Sequence, residues 1–207
     1  MRFHRYGIDL ERLEVKHLEM VRRWRNQKAV RVRMRYQEEI SAASQADWFK
    51  KLDTHNDWYF VAIQNEKPFG LFHIKEVDWS RRVGEAGGFV GNSELMGATE
   101  SGLGILALMD FAFLVLDLDL LEASYRRSYP EIVLLNRQLG YEIFADGPDD
   151  FVRARVSAAG YLQATEKLRH TAARIRGAEA RLTDADEWLA AHIKKVSPSG
   201  SPWLHVA

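Results

Sequence analysis

Apolar positions along this chain switch repeatedly between a spacing of two and a spacing of three to four, and each switch marks a change of element. Residues 6–13 alternate weakly (Ile8, Leu10, Leu13) and predict a first strand. Residues 15–26 carry Val15, Leu18, Val21 and Trp24 at helical spacing. Ser41 is a helix-cap candidate and opens a second helix bearing Ala42, Trp48, Phe49 and Leu52. Residues 58–64 and 69–77 read as strands joined by the turn Asn65-Glu66-Lys67, and 82–90 as a third strand beyond the turn-like 78–81. The middle of the chain is therefore expected to be an antiparallel meander.

Next, Thr99-Glu100-Ser101-Gly102-Leu103-Gly104 reads as a glycine-containing loop running into an apolar helix from Ile105 to Phe113. A strand follows at 120–125, then a helix opened by Pro130 and stopped at Gly140, then strands at 141–144 and 151–157. The expected architecture is α+β, with one mixed, mostly antiparallel sheet that splits around the central helix. After Ser157 the pattern predicts a helical C-terminal extension. Its helices span 158–176 and 183–195 and meet at Gly177, with capping-box spacing between Thr183 and Asp186. Residues 197–202 (Ser-Pro-Ser-Gly-Ser-Pro) read as a flexible tail. The chain is thus divided into a domain at 1–157 and an extension with its tail at 158–207.

Composition narrows the chemistry more than the fold. Lysine plus arginine and aspartate plus glutamate balance at 29 each in 207 residues, so net charge gives no case for nucleic acid. Local basic clusters (Arg22, Arg23 and Arg25; Arg31, Arg33 and Arg35) read first as solvated faces. The absence of cysteine removes disulfides, thiolate metal sites and a cysteine nucleophile, and fits a reducing compartment. The longest apolar stretch, 105–116, is broken by Asp110 and is shorter than the ~20 residues of a membrane span. A cytoplasmic protein with no membrane partner is expected.

Glycines let backbone N–H groups approach an anion, and a following helix adds its free N–H groups and the positive end of its dipole. The segment from Thr99 to Gly104 therefore reads as a phosphate cradle, although the same pattern also marks ordinary turns. In its setting it resembles the GNAT N-acetyltransferase superfamily over roughly Ile8 to Val156. In that family the loop reads Arg/Gln-x-x-Gly-x-Gly/Ala; Gly102 and Gly104 match, and Thr99 replaces the first residue. The stretch from Tyr129 to Tyr141 is similar to the family's Asn-x-x-Ala-x-x-Leu-Tyr-x-x-x-Gly-Phe signature. Here Tyr129 replaces the Asn, and Asn136 replaces the Tyr that often protonates the departing thiolate. Trp24-Arg25-Asn26, Ile40-Ser41 and the Trp48–Leu52 stretch resemble the subgroup of ribosomal-protein and nucleotide-amino-sugar acetyltransferases.

The resemblance implies acetyl-CoA as cosubstrate. Thr99, Glu100, Ser101, Gly102, Leu103 and Gly104 would surround its pyrophosphate, and Phe89, Val90 and Asn136 its pantetheine arm. Glu85 is placed as the base, or else in a salt bridge with Arg81 or Arg82, and His73 is a second base candidate. With the usual tyrosine missing, Tyr129 or Tyr125 is left as proton donor to sulfur. Trp24, Arg25 and Asn26 would lie over the acceptor, Trp24 alternatively packing on the sheet. The implied reaction is acetylation of a small-molecule primary amine, with a nucleotide-linked amino sugar as first choice. Two alternatives are acetylation of a protein N-terminus and a degenerate fold kept for binding. In the last case the stripe Leu162, Leu168 and Ile175 offers a docking or homodimer surface, or else packs back on the domain.

Overall fold

The structure is a computed structural model describing residues 1–92, 95, 99–197 and 204–206. Strands β1 (Arg2–Arg5) and β2 (Ile8–Arg12) form a hairpin, so the chain enters its sheet earlier than the alternation predicted. Tyr6 and Gly7 both have positive φ (53° and 72°) and make the two-residue turn between them. Helices α1 (Leu18–Asn26), α2 (Lys28–Arg31) and α3 (Ala42–Lys50) follow, and Ser41 caps α3 by accepting from the Ser44 N–H as expected. The meander is β3 (Trp58–Gln64), β4 (Lys67–Asp78) and β5 (Val83–Val90).

Helix α4 (Thr99–Asp110) comes next and passes into a π-helical turn at Phe111–Val115. It takes in the segment expected as a glycine loop: Thr99 to Gly104 are already helical. The reason is packing. Ser101, Leu103 and Gly104 are buried, and Gly104 allows the Phe72 ring to within 3.1 Å of where a Cβ would stand. Then come β6 (Leu120–Arg126), α5 (Pro130–Gln138), β7 (Glu142–Asp146) and β8 (Phe151–Ser157). Helix α6 (Ala158–Arg176) has its expected limits, with the Ser157 hydroxyl accepting from the Gly160 N–H. A strand, β9 (Ala180–Thr183), separates it from α7 (Glu187–Val196), and β10 (Leu204–Val206) is the last described element. The second C-terminal helix thus starts later than predicted: Thr183 ends β9, and Asp186 is the cap, accepting from the Leu189 N–H. The tail expected at 197–202 lies, beyond Ser197, outside the described residues.

The described strands form one sheet in the order β10-β9-β1-β2-β3-β4-β5-β6-β8-β7. Every neighbouring pair is antiparallel except β5 with β6 and β9 with β10. The main core lies between the sheet and α4, where Phe111 packs on Phe3, Trp58 and Phe60 at centroid distances of 5.3, 5.6 and 5.0 Å. A smaller core on the opposite face joins Val21, Val61 and Leu71 to α1 and α3. At the centre of the main core Asp110, fully buried, accepts from Tyr6 Oη (2.7 Å), Arg5 Nε (3.1 Å), Tyr161 Oη (2.8 Å) and Arg169 Nε (2.9 Å). These bonds tie α4 to β1 on one side and α6 on the other. Of the stripe on α6, Leu162 packs on the core, while Leu168 and Ile175 stay exposed.

Candidate active site

Strands β5 and β6 pair only from Val83–Leu120 to Glu85–Glu122. Beyond that point they part, leaving the β6-facing backbone groups of residues 86–90 without a strand partner. The gap holds a cavity of about 170 Å³. Ala86, Gly87 and Gly88 wall it on one side, Ser124 and Tyr125 on the other, and α4 and α5 close it with Ile105, Met109, Ile132 and Asn136. Its far wall carries Tyr141. Burial raises the pKa of both the Tyr125 and Tyr141 phenols, so each stays protonated.

A second cavity, about 390 Å³, lies on the opposite face of the sheet. Leu71, His73 and Phe89 form its floor, Tyr59 and Trp48 one wall, and Val21 and Arg25 of α1 another. Residues 34–40 cover it, contributing Met34, Tyr36, Glu39 and Ile40. This cover is held from both ends. Asn26 exchanges two 2.9 Å hydrogen bonds with the Ile40 backbone, and Arg25 Nη2 donates to the Tyr36 carbonyl at 2.5 Å. Just before the cover begins, Arg33 pairs with Glu131 at 3.4 Å; within it, Arg35 donates to Ser124 Oγ at 2.9 Å.

The two cavities meet at Gly88, which lines both. Odd positions of β5 face the larger cavity, since a Cβ at Gly87 would stand 2.8 Å from His73 Nε2. Even positions face α4, since a Cβ at Gly88 would stand 2.6 Å from the Phe72 ring. With no side chain at either residue, the partition between the cavities is a single backbone.

His73 sits beneath the Tyr59 ring, with centroids 4.9 Å apart. Burial, with a smaller push from Lys75, lowers its pKa to about 3, so the imidazole is neutral at working pH. Glu85 lies two positions from Gly87 on the same face, its carboxylate 3.3 Å from Lys75 Nζ. Its partner is therefore neither Arg81 nor Arg82.

Other residues expected at the site are more dispersed. Tyr129 lines neither cavity; its ring lies under the Arg33 guanidinium, 5.1 Å from ring centroid to Cζ. Asn136 borders the smaller cavity, but its amide donates back to the Ile132 carbonyl at 2.8 Å. Trp24 packs directly on Gly91 and on the smaller core rather than into the larger cavity. Phe89 faces the larger cavity and Val90 the main core. At the start of α4, Thr99 is exposed, Glu100 reaches Arg176 at 3.8 Å, Ser101 bonds the Leu95 carbonyl, Leu103 is buried, and Gly102 faces open space. Sequence reasoning missed Trp48, Tyr59, Leu71, Met34 and Tyr36 as cavity residues. Aromatic and aliphatic positions on a helix face or strand look the same whether they border a core or a cavity.

Neither a protein-family model nor a curated protein sequence matches the chain. Solved structures do. A spermidine N-acetyltransferase from Vibrio cholerae, in complex with CoA and spermine, superposes with a TM-score of 0.67 at 19% identity. The match covers 76% of this chain and 99% of that one. A domain from Methanocaldococcus jannaschii matches with a TM-score of 0.61 at 16% identity, over 72% of this chain and 97% of that one. The chain has a GNAT-like fold. Within the GNAT fold the expected mixed, mostly antiparallel sheet and central helix are both present, and the gap between β5 and β6 is where that sheet splits. Among the described residues there is no cluster able to hold a metal, and no helix is long and apolar enough to cross a membrane.

Proposed function

We propose that the protein transfers the acetyl group of acetyl-CoA to a primary amine of a small molecule. The observation that carries this reading is the pair of cavities on opposite faces of β5, meeting where Gly87 and Gly88 present backbone alone. Two substrates seated in them would make direct contact past the unpaired edge of β5 at Gly88, where β6 has parted from it, and an acyl transfer requires such contact. A neighbour of the same fold, from Vibrio cholerae, is known with CoA and spermine.

The unpaired edge of β5 suits the amide-bearing pantetheine arm, and the N-terminal part of α4, which holds Thr99 to Gly104, would lie against the pyrophosphate. The amine nitrogen attacks the thioester carbon and the carbon–sulfur bond breaks, leaving the electron pair on sulfur. Tyr125, on the wall of the smaller cavity and kept protonated by burial, donates the proton that sulfur takes up. This replaces Tyr129, which lies outside both cavities. The ammonium must lose its proton first. His73, held near 3, is too weak a base to hold it and instead offers a neutral hydrogen-bond acceptor to the amine. Glu85, roughly 6.5 Å along the strand from Gly87, receives the proton through water.

A cover over the acceptor cavity favours a small molecule over a protein N-terminus. The nucleotide-linked amino sugar keeps one supporting observation, Arg25 in the cavity wall. The binding-module alternative is favoured by the displaced Tyr129 and by the back-bonded Asn136. Calorimetric titration with acetyl-CoA, followed by an assay for free thiol with primary amines, tests all of these. One-site binding with amine-dependent thiol release is the expected result. Binding without release by any amine gives the binding-module reading the lead, and no binding overturns both.

A further inference from the structure

Arg25, in the wall of the acceptor-side cavity, carries an uncompensated polar atom. Arg25 Nη1 is buried and has no hydrogen-bond partner, while Nη2 of the same guanidinium is spent on the Tyr36 carbonyl. A buried donor without a partner costs stability unless a ligand supplies the acceptor, and a charged donor costs more. The surrounding wall offers little else with charge. Glu39, its one carboxylate, is mostly exposed and engaged by Arg31 at 3.0 Å. The remaining wall is apolar or aromatic, with Trp48, Tyr59, Leu71 and Phe89 prominent. At about 390 Å³ the space lies near the lower end of ligand cavities (roughly 300–1,000 Å³).

We propose that the acceptor is a small amine with an apolar or aromatic body and a carboxylate, the carboxylate seating on Arg25 and the amine turned towards Gly87–Gly88. This rests on the acetyl-transfer reading above and narrows its substrate. A polyamine would bring several ammonium groups to a wall whose only unpaired charge among the described residues is a cation, so like charges would face each other. A nucleotide-linked sugar would bring a diphosphate and many hydroxyls into a space lined mainly by carbon, where most would lose their hydrogen bonds. A monocarboxylate needs one planar partner, and a guanidinium provides it in matching geometry.

The test is calorimetric titration of the full chain with L-phenylalanine, 2-phenylethylamine and spermidine, on wild type, Arg25→Gln and Arg25→Lys. Thermal midpoints of all three proteins establish that each is folded. Wild type is expected to bind phenylalanine about 30-fold more tightly than phenylethylamine, the loss of one charge-assisted hydrogen bond expressed as affinity. That ratio should fall to near one in Arg25→Gln and be largely kept in Arg25→Lys, which retains the charge. Equal or tighter binding of phenylethylamine or spermidine, a ratio that survives in Arg25→Gln, or no binding of phenylalanine overturns the proposal. Thiol release from acetyl-CoA, measured on the same samples, separates the two levels. Phenylalanine bound on Arg25 without thiol release would sink acetyl transfer and leave the carboxylate seat standing. Release with phenylethylamine in preference to phenylalanine would do the reverse.

Discussion

Asp110 and the Nη1 end of Arg25 are both charged, both shielded from water and both set against apolar packing, yet they are finished differently. The Asp110 carboxylate accepts four hydrogen bonds from two tyrosines and two arginines and has no capacity left for a ligand. Burial and the nearby Asp110 push the Tyr6 phenol up to about 12, so it remains a donor at any physiological pH. Arg25, which lines the larger cavity, has one nitrogen satisfied and one buried without a partner. A saturated buried charge is an internal joint; an unsaturated one in the wall of a cavity is where the proposed carboxylate would seat. The same contrast separates Tyr161, locked onto Asp110, from Tyr125, which faces the gap between β5 and β6.

The largest expected effect breaks the joint. Asp110→Ala leaves two arginines facing each other in the core and should cost about 3–5 kcal/mol in chemical denaturation. Arg25→Gln should cost about 1 kcal/mol. Similar losses from the two would end the distinction between joint and seat. Next, Tyr125→Phe should lower thiol release by about 10²–10³-fold, while Tyr129→Phe changes it by less than about threefold. A reversal of that order in a steady-state assay would return the proton-donor role to Tyr129. Gly87→Ala sets a methyl 2.8 Å from His73 Nε2 and should slow turnover about 10²-fold by displacing the floor of the acceptor cavity. Unchanged turnover would mean that the two substrates do not meet there.

The smallest effect concerns His73. Its pKa is near 3 when folded and near 6.5 when unfolded, so between those values the unfolded chain binds more proton. Stability contributed by the neutral imidazole is therefore complete above pH 6.5 and is lost progressively as pH falls towards 3. His73→Gln should reduce the stability loss between pH 7 and pH 5 by about 1 kcal/mol, read from denaturation curves at the two values. An unaltered slope would show that His73 is solvated rather than buried.

Local signals carried much of the fold. The Ser41 cap, the Asn65–Glu66 turn, Pro130 at a helix start and the limits of α6 depend on residues within a few positions of one another, and all are present. What failed depended on distance. β1 gains its place by pairing with both β2 and β9, the latter some 180 residues on, at Arg2–Thr183. Asp110 read only as a break in an apolar run, because the Arg5 that pairs with it lies 105 residues away. Thr99 to Gly104 read as a loop because glycine is a poor helix former, but packing against Phe69 and Phe72 overrode that local preference. At the site, residue types at Glu85, His73 and Arg25 were legible as chemistry. Which of them faces a cavity was not, since parity along β5 and the unpaired Nη1 exist only after folding.

The shared glycine pair on β5 has a consequence for the order of events. Occupants of the two cavities would rest against opposite sides of the same backbone, so neither can shift it without altering the seat of the other. Any factor by which one ligand changes the affinity of the second must then be returned in equal measure. Thermodynamic linkage would then run through the one strand that the two cavities share at Gly88.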